Sequence, residues 1–391
     1  MITLIPSLKL LRILAGEGDF HLYRQLKEGR RLFLFAKCFL ITLSYFKGRG
    51  ASAGARTVVF VKGANQLRYY QHAGAQLQEE LGSLQMFTAA PLPEQAESPM
   101  LPRMGFRPAW QQTICLLMML ITGKRRYLNL YLLSFATAID RSVYMGLRQV
   151  ESFVCFNDQP YDVAAILYAL NRRNNVRTIV IQHGLILSEE FYFPSVAKEF
   201  WAWGSLSRQH YRAWESDSKI IIKGRYSNDG NQKSNDFIWP APGRAIRILV
   251  APSFFHVEVR ELLTSLNQVL GNENKETLRV AIKFHPATKL AWRLRLWCKK
   301  NAPWLSEENE AMEALADKYD LLITKDSTSA VDFLLRGKPV FFLNMGEGLV
   351  FPSPLYGFDL CDILNVSTGP ALIFKRKNDP RLCFLEIALN V

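Results

Sequence analysis

The sequence predicts an α/β protein with two doubly wound domains, each built around a parallel sheet. Three observations lead to this prediction. Short β-branched runs alternate with helical segments, the alternation stops at a polar linker and then restarts, and 391 residues are too many for one compact core. We place the first domain at 1–240, the second at 241–360 and a C-terminal tail at 361–391.

The first domain contains a strand–helix–strand unit. A β-branched run at 56–63 ends in glycine and reads as a buried parallel strand, and a helix follows it. A proline-rich loop at 89–108 leads to long helices that continue to about residue 149. Next come a strand at 151–158, an amphipathic helix at 161–176 and a strand at 177–184, a spacing typical of a βαβ unit.

The second domain follows a linker rich in Asn, Asp, Gly, Ser and Pro at 225–244. Beyond it the alternation resumes, and the resumed pattern predicts a second doubly wound sheet. We expect its strands at 245–253, 278–286, 320–329 and 338–344, with helices at 256–270, 289–300 and 330–337.

The formal charge of +13 favours an anionic partner such as a membrane surface or a phosphorylated substrate. Residues 1–56 carry ten Lys or Arg against three Asp or Glu. Two apolar runs, at 32–46 and 110–127, are too short to span a bilayer. They are either buried core helices or interfacial helices that dip into an anionic leaflet. No nucleic-acid-binding motif is present, so we expect no nucleic-acid partner.

The six cysteines are scattered, without zinc-site spacing, so we expect reduced thiols in a cytoplasmic protein and no metal site.

Polar residues follow the predicted strands of the first domain, at the sheet edge where open parallel sheets bind ligands. Asp158 is a candidate general base or nucleophile, and Asp162 either shares that role or stabilises the first turn of a helix. We expect His183 to face a crevice between the domains, although it could be a satisfied interface histidine. Gly184 after it permits close approach of a ligand to the backbone.

The strand ends of the second domain suit a phosphate. Pro286 fixes a turn that holds His285, whose imidazole can donate to a leaving phosphate, and Lys283 adds positive charge. The alternative is a structural turn histidine. A helix start rich in hydroxyls suits phosphate and ribose oxygens, although simple helix capping also explains it. The candidate residues are Ser327, Thr328, Ser329 and Asp332, of which Asp332 can accept from a sugar hydroxyl.

Several stretches of the sequence carry a resemblance to a known group of enzymes. "VIQHGLI" followed by "AWG" and "IIKGRYSND", then "IKFHP", then "DLLITKDSTSAVDFLLRGKPVFF" resemble bacterial capsule and lipopolysaccharide glycosyltransferases of the GT-B type. Within that type the sequence is most similar to transferases of CMP-activated acidic sugars, such as Kdo and sialyl or polysialyl transferases. The resemblance covers about 151–344 and implies two Rossmann-type domains that face an interdomain cleft.

The resemblance also implies roles for individual residues. His285 and Ser327 to Ser329 would bind the nucleotide phosphates, and Gln182 and His183 would line the acceptor or sugar side. The catalytic carboxylate would fall on Asp158 or Asp162; related Kdo transferases carry a Glu near this position, where this chain has Asn157 and Asp158. The C-terminal tail would cross back onto the first domain.

The expected function is therefore transfer of a sugar from a nucleotide donor to a surface glycan or glycolipid. We expect a cytoplasmic enzyme that is peripheral on the inner membrane. No DxD-like metal motif stands out, so we expect metal-independent chemistry and no cofactor.

Two alternatives stay open. One is a related enzyme, either a UDP-GlcNAc 2-epimerase or a CDP-glycerol glycerophosphotransferase. The other is a non-catalytic subunit of polysaccharide assembly.

Overall fold

The computed structural model divides into two compact units, Met1–Asn228 and Asp229–Val391. The residues it describes are 11, 14, 22–47, 54, 56–88, 106–158, 160–173, 175–183, 195–203, 218–223, 245–252, 259, 263–264, 278–285, 288, 291–324, 329–334, 336, 338, 340–344 and 348–350. The boundary that we predict at residue 240 and the tail at 361–391 lie outside these residues and stay predictions.

The first unit contains a six-stranded parallel sheet in the order β2-β1-β3-β4-β5-β6. Its strands are β1 (Thr57–Val61), β2 (Leu84–Thr88), β3 (Ser152–Cys155), β4 (Arg177–Ile181), β5 (Glu199–Ala202) and β6 (Lys219–Ile222). Its helices are α1 (Leu22–Lys27), α2 (Arg31–Lys47), α3 (Ala64–Leu81), α4 (Phe106–Thr122), α5 (Arg125–Gly146) and α6 (Tyr161–Asn171).

Alternate residues of each strand pack into two separate hydrophobic cores, because successive side chains of a strand point to opposite faces of the sheet. On β1, Val59 and Val61 pack with Leu67 and Leu77 of α3. Val58 and Phe60 of the same strand belong to a larger core built with α2, α4, α5 and α6. The sheet therefore lies between helix α3 on one side and a four-helix layer on the other.

The second unit contains a six-stranded sheet in the order β12-β11-β10-β7-β8-β9. Every neighbouring pair is parallel except β11 and β12, which are antiparallel. The strands are β7 (Ile246–Ala251), β8 (Leu278–Ile282), β9 (Ser306–Glu307), β10 (Leu321–Thr324), β11 (Val340–Asn344) and β12 (Gly348–Val350). The described part of this unit includes the helices α7 (Ala291–Asn301), α8 (Met312–Lys318) and α9 (Ser329–Leu334).

The core of the second unit forms where α7 packs on the sheet. Ile248, Val280 and Ile323 come from three neighbouring strands and pack with Leu294 and Cys298 of the helix. The prediction of an α/β protein with two doubly wound units is thus confirmed. The predicted cleft between the units stays a prediction.

The two apolar runs that we singled out for a membrane role form α2, most of α4 and the start of α5. Within the described residues, no helix has both the length and the apolarity that are needed to cross a bilayer. Each of these helices buries one face in the core of the first unit and leaves large apolar side chains of another face exposed.

The four cysteines of the described part, Cys38, Cys115, Cys155 and Cys298, are free thiols, as we predict. Burial raises the pKa of the Cys38 thiol to about 12 and that of Cys298 to about 11. Because the thiolate is the reactive form, these two side chains act as small apolar core residues.

Candidate functional site

The carboxyl edge of the first sheet has a topological switch point between β1 and β3. The chain leaves β1 towards β2 on one side, whereas β3 to β6 extend on the other side. In open parallel sheets, the helix connections diverge at such a point and leave room for a ligand. Lys62 follows β1 there, and Asp158 lies three residues beyond β3.

Lys62, which is partly exposed, and Asp162, which is buried, form an ion pair at this switch point. Asp162 lies in the first turn of α6, where the helix dipole favours a negative charge. Its Oδ1 contacts Lys62 Nζ, and its Oδ2 accepts a hydrogen bond from Tyr45 of α2 at 3.3 Å. Asp162 is a candidate from the sequence and Lys62 is not, although a lysine directly after a buried strand is a recognisable signal.

The backbone beside Lys62 is also held in place. The Lys62 N–H donates to Gln66 Oε1 at 2.8 Å, so the first turn of α3 is tied back to the end of β1. Gln66 therefore holds the backbone of Lys62, and Asp162 holds its ammonium group.

Asp158 is fully buried and anchors the segment that leads into β5. Its Oδ2 accepts hydrogen bonds from Ser195 Oγ at 2.8 Å and from the backbone N–H groups of Val196 at 2.6 Å and Ala197 at 3.4 Å. Its Oδ1 has no hydrogen-bond partner in the described part of the chain. Burial raises the pKa of this carboxyl despite the hydrogen bonds, which act in the opposite direction. The contacts are those of a structural tie, and the catalytic role stays a prediction.

Gln182 and His183 follow β4 at the same edge. The Gln182 Oε1 accepts from the Trp203 N–H at 2.8 Å, which ties the ends of β4 and β5 together. His183 packs edge-on against Phe156, with ring centroids 6.3 Å apart, and hydrogen bonds to the Phe156 backbone. Burial lowers the pKa of His183 to about 4, so the imidazole is neutral near pH 7. Gly184 lies outside the described residues.

Aromatic rings cover this part of the edge on the α3 side. Tyr69 of α3 stacks with Trp203 at 6.4 Å between ring centroids and contacts Phe156 edge-on at 5.5 Å. Its hydroxyl accepts from Trp203 Nε1 at 3.3 Å. Tyr69 is not among the residues predicted from the sequence, because its place at the site depends on how α3 crosses the strand ends.

The second unit has its own switch point, between β7 and β10. His285 follows β8, the other neighbour of β7, and it is half-buried. Burial lowers the pKa of its imidazole. The His285 carbonyl accepts from the Thr288 N–H at 2.8 Å, which closes the turn that we predict at this position.

The other candidates of the second unit are only partly described. Lys283 donates through Nζ to the backbone carbonyl of Glu310, so its ammonium group is engaged within the unit. Ser329 begins α9, and Asp332 is buried one turn later. Ser327 and Thr328 lie outside the described residues.

Comparisons with known proteins give low similarities. No protein-family model and no curated protein matches the sequence. Among solved structures, the chain is similar to the Staphylococcus aureus MnaA–UDP complex, with 14% identity and a TM-score of 0.44 over 74% of this chain and 80% of that one.

Two further solved structures are similar to the chain at the same low level of identity. The Neisseria meningitidis UDP-GlcNAc 2-epimerase bound to UDP-GlcNAc has 12% identity and a TM-score of 0.44 over 74% of this chain and 83% of that one. The wall teichoic acid polymerase TagF has 14% identity and a TM-score of 0.39 over 87% of this chain and 79% of that one. Similarities this low transfer neither a ligand nor an activity to this chain.

In chemical terms, the first unit brings Asp158, Asp162, Gln182 and His183 to one sheet edge. That edge offers a fixed ammonium–carboxylate pair, a buried carboxyl of raised pKa and a neutral imidazole. Among the described residues, no three His, Cys, Asp or Glu side chains come together as metal ligands. The edge suits proton transfer and hydrogen bonding to a polar substrate.

Proposed function

We propose that this protein is a glycosyltransferase that uses a nucleotide-activated sugar. The observation that carries the proposal is the repeated design. One parallel sheet and one mainly parallel sheet each have a topological switch point, with polar residues at the ends of the adjoining strands. Such edges bind nucleotides and phosphorylated substrates in doubly wound proteins. Two of them in one chain suit a reaction with two substrates, a donor and an acceptor.

In this proposal the second unit binds the nucleotide. Its order, read from β9 to β12 through β7, places the first strand of the unit in the middle of the sheet, as in dinucleotide-binding folds. His285 would donate a hydrogen bond to a phosphate oxygen, and the hydroxyls at 327–329 would contact the phosphates. The lowered pKa of His285 keeps a neutral imidazole, which still has one N–H to donate.

The first unit would then bind the acceptor, a growing surface polysaccharide or lipopolysaccharide. Asp158 is the candidate base, since burial raises its pKa towards the range in which a carboxylate accepts protons well. Asp162 is held by Lys62, which favours a positioning role at the switch point. The donor would be a CMP-linked acidic sugar, and catalysis would proceed without a resident metal.

The nucleotide is tested by thermal shift with CMP, CDP, UDP and GDP. A ligand that binds only the folded protein stabilises it by about 2.7 kcal/mol at a concentration of 100 times its Kd. We expect CMP to raise the Tm and His285→Ala to abolish that rise. His72→Ala is the matched control, because His72 is exposed on α3 of the other unit. A rise with UDP alone would overturn the CMP assignment.

The reaction class is tested by product analysis with and without an acceptor glycan. Transfer to the acceptor, lost in Asp158→Asn, is the expected result. The asparagine keeps an oxygen to accept from Ser195 and Val196, so this variant preserves the anchor better than alanine. Conversion of the sugar nucleotide without an acceptor would identify an epimerase. Nucleotide binding without any turnover would identify a non-catalytic subunit.

A further inference from the structure

Helix α4 exposes an apolar stripe to solvent. Its inward residues, such as Leu116 and Met119, are buried in the core of the first unit. Most of its outward residues are also apolar and recur at helical spacing, at Trp110, Ile114, Leu117 and Ile121, whereas the exposed polar residues are Arg107 and Gln111. Trp110 is 57% exposed and Ile121 is 71% exposed. A contiguous row of exposed large apolar side chains is unusual on a helix that meets only water, so this stripe fits an environment that is less polar than water.

Helix α2 extends the stripe, because it packs against α4 in the antiparallel direction. The guanidinium of Arg31, at the start of α2, lies against Gly123, just after α4. Further along, Thr42 Oγ1 donates to Gln112 Oε1 at 3.2 Å. The exposed large apolar side chains of α2 are Leu32, Phe33 and Leu40. Since both helices bury their other face in the same core, these side chains and those of α4 share one outer surface, the α2–α4 face.

One end of the α2–α4 face is strongly basic. The turn between α1 and α2 meets the turn between α4 and α5, where the Arg125 guanidinium lies 3.7 Å from the centroid of the Tyr23 ring. Exposed basic side chains from the two turns gather here: Lys27, Arg30, Arg31, Lys124, Arg125 and Arg126. The acidic residue of these turns is Glu28, which pairs with Arg30 at 3.2 Å.

We propose that the α2–α4 face binds the surface of an anionic lipid bilayer. The apolar side chains enter the boundary of the acyl chains, and the basic turns contact the headgroup phosphates. A bilayer supplies both of the required partners, a continuous apolar layer and a plane of negative charge. The helices lie along the surface rather than across it. This inference rests on exposed side chains alone and does not depend on the proposed transferase activity.

The test is flotation of the full-length protein with vesicles of phosphatidylcholine, or of phosphatidylcholine mixed with phosphatidylglycerol. We expect binding to the mixed vesicles that decreases as salt increases, because salt screens the headgroup attraction. The double variant Trp110→Ser and Ile121→Ser should weaken binding at least about tenfold, because it removes the apolar anchor. The double variant Lys27→Glu and Lys124→Glu should lose about tenfold or more on anionic vesicles only.

The matched control is Trp292→Ser with Leu296→Ser on α7, where these residues are 55% and 58% exposed. It removes similar side chains from a helix that is also basic, so it should leave vesicle binding unchanged. All variants should keep the wild-type Tm, because each changed residue is exposed. Wild-type protein that stays unbound in both vesicle types, or equal losses in the control, would overturn the proposal. A dimer that Trp110→Ser disrupts, without any vesicle binding, would assign the face to a second copy of the chain instead.

Discussion

The two sides of the first sheet are built in opposite ways. On one side, α3 buries Leu67, Ala73 and Leu77 against the strands. Its outward residues are polar apart from Ala75, and the exposed ones are Arg68, Gln71, His72, Gln76, Gln78, Glu79 and Glu80. This is the ordinary arrangement of an amphipathic helix in contact with water.

The four-helix layer on the other side has a group of polar side chains within its apolar core and large apolar side chains on its outer surface. Its interior contains a hydrogen-bonded group of hydroxyls, in which Tyr131 contacts Thr42 at 3.2 Å, the Cys38 carbonyl at 3.1 Å and the hydroxyl of Tyr161. The Lys62–Asp162 pair lies at its edge, whereas its outer surface carries the stripe of α4. Packing on the sheet constrains only the inner faces of these helices, so it does not explain the difference between their outer faces.

The largest difference in stability that we predict between the two sides concerns their ion pairs. Asp162→Ala leaves Lys62 without its buried partner and should lower the free energy of unfolding by about 3–5 kcal/mol. On the α3 side, Lys223 and Glu80 also pair, at 2.6 Å, but both are partly exposed. Glu80→Ala should therefore cost about 1 kcal/mol or less. Urea unfolding of the two variants measures the difference.

A double variant separates loss of the pair from loss of packing. Replacing both Lys62 and Asp162 by Met and Leu removes the two charges together, and we expect it to be more stable than Asp162→Ala. Equal costs for Asp162→Ala and Glu80→Ala would show that the pair at the switch point is as solvated as the one on α3.

The second prediction concerns leucines on the two sides. Leu77 of α3 is 0% exposed, whereas Leu117 of α4 is 42% exposed. Leu77→Ala should cost about 2–5 kcal/mol through the cavity that it leaves, and Leu117→Ala should stay within about 0.5 kcal/mol. Urea unfolding without lipid is the measurement. A large cost for Leu117→Ala would mean that its exposed stripe is covered in solution, and this would argue for a protein contact.

The sequence predicts the strands that have a continuous apolar run well and the other strands poorly. Short apolar runs identify β1, β3, β4, β7, β8, β10 and β11, because a strand covered on both faces is largely apolar. β2 is missed. Gln85 and Thr88 interrupt the apolar residues of its sequence, LQMFT, and it pairs on one side only, with β1.

β5 is missed for a different reason. Glu199 lies within it, and an acidic residue argues against a buried strand. The structure shows why it is tolerated: Arg177 on neighbouring β4 donates to both carboxylate oxygens of Glu199, at 2.8 and 2.7 Å. Such a pair depends on strand register, which a single sequence does not reveal.

The sequence predicts the position of the candidate site, because ligands bind beyond the carboxyl ends of parallel strands, but it does not predict the contacts within the site. That rule finds Asp158, Gln182 and His183, since each follows a buried strand. It does not reveal that Asp158 anchors Ser195 or that Gln182 binds the Trp203 N–H, because these partners come from distant parts of the chain. Polar residues at strand ends therefore show which edge of the sheet is the candidate site. Only the structure shows which of these side chains make structural hydrogen bonds.

The smallest effect that we predict is the contribution of His183, on the α3 side, to the pH dependence of the free energy of unfolding. Its pKa is about 4 in the folded protein, below the value near 6.5 of an unfolded chain, because burial against Phe156 disfavours the imidazolium. Between these values the unfolded chain binds more protons, so stability is complete above about pH 6.5 and is lost as the pH falls towards 4. The full loss is about 3 kcal/mol at most.

His183→Gln should remove this slope, which urea unfolding between pH 7 and pH 4 would measure. Asp158 titrates with the opposite sign, because burial raises its pKa and its contribution falls as the pH rises. The difference between wild type and His183→Gln therefore isolates the histidine. His72→Gln is the control on the same side of the sheet, since His72 is exposed on α3. An unchanged slope in His183→Gln would mean that the imidazole is hydrated in the folded state, and that the edge is open to water beside Phe156.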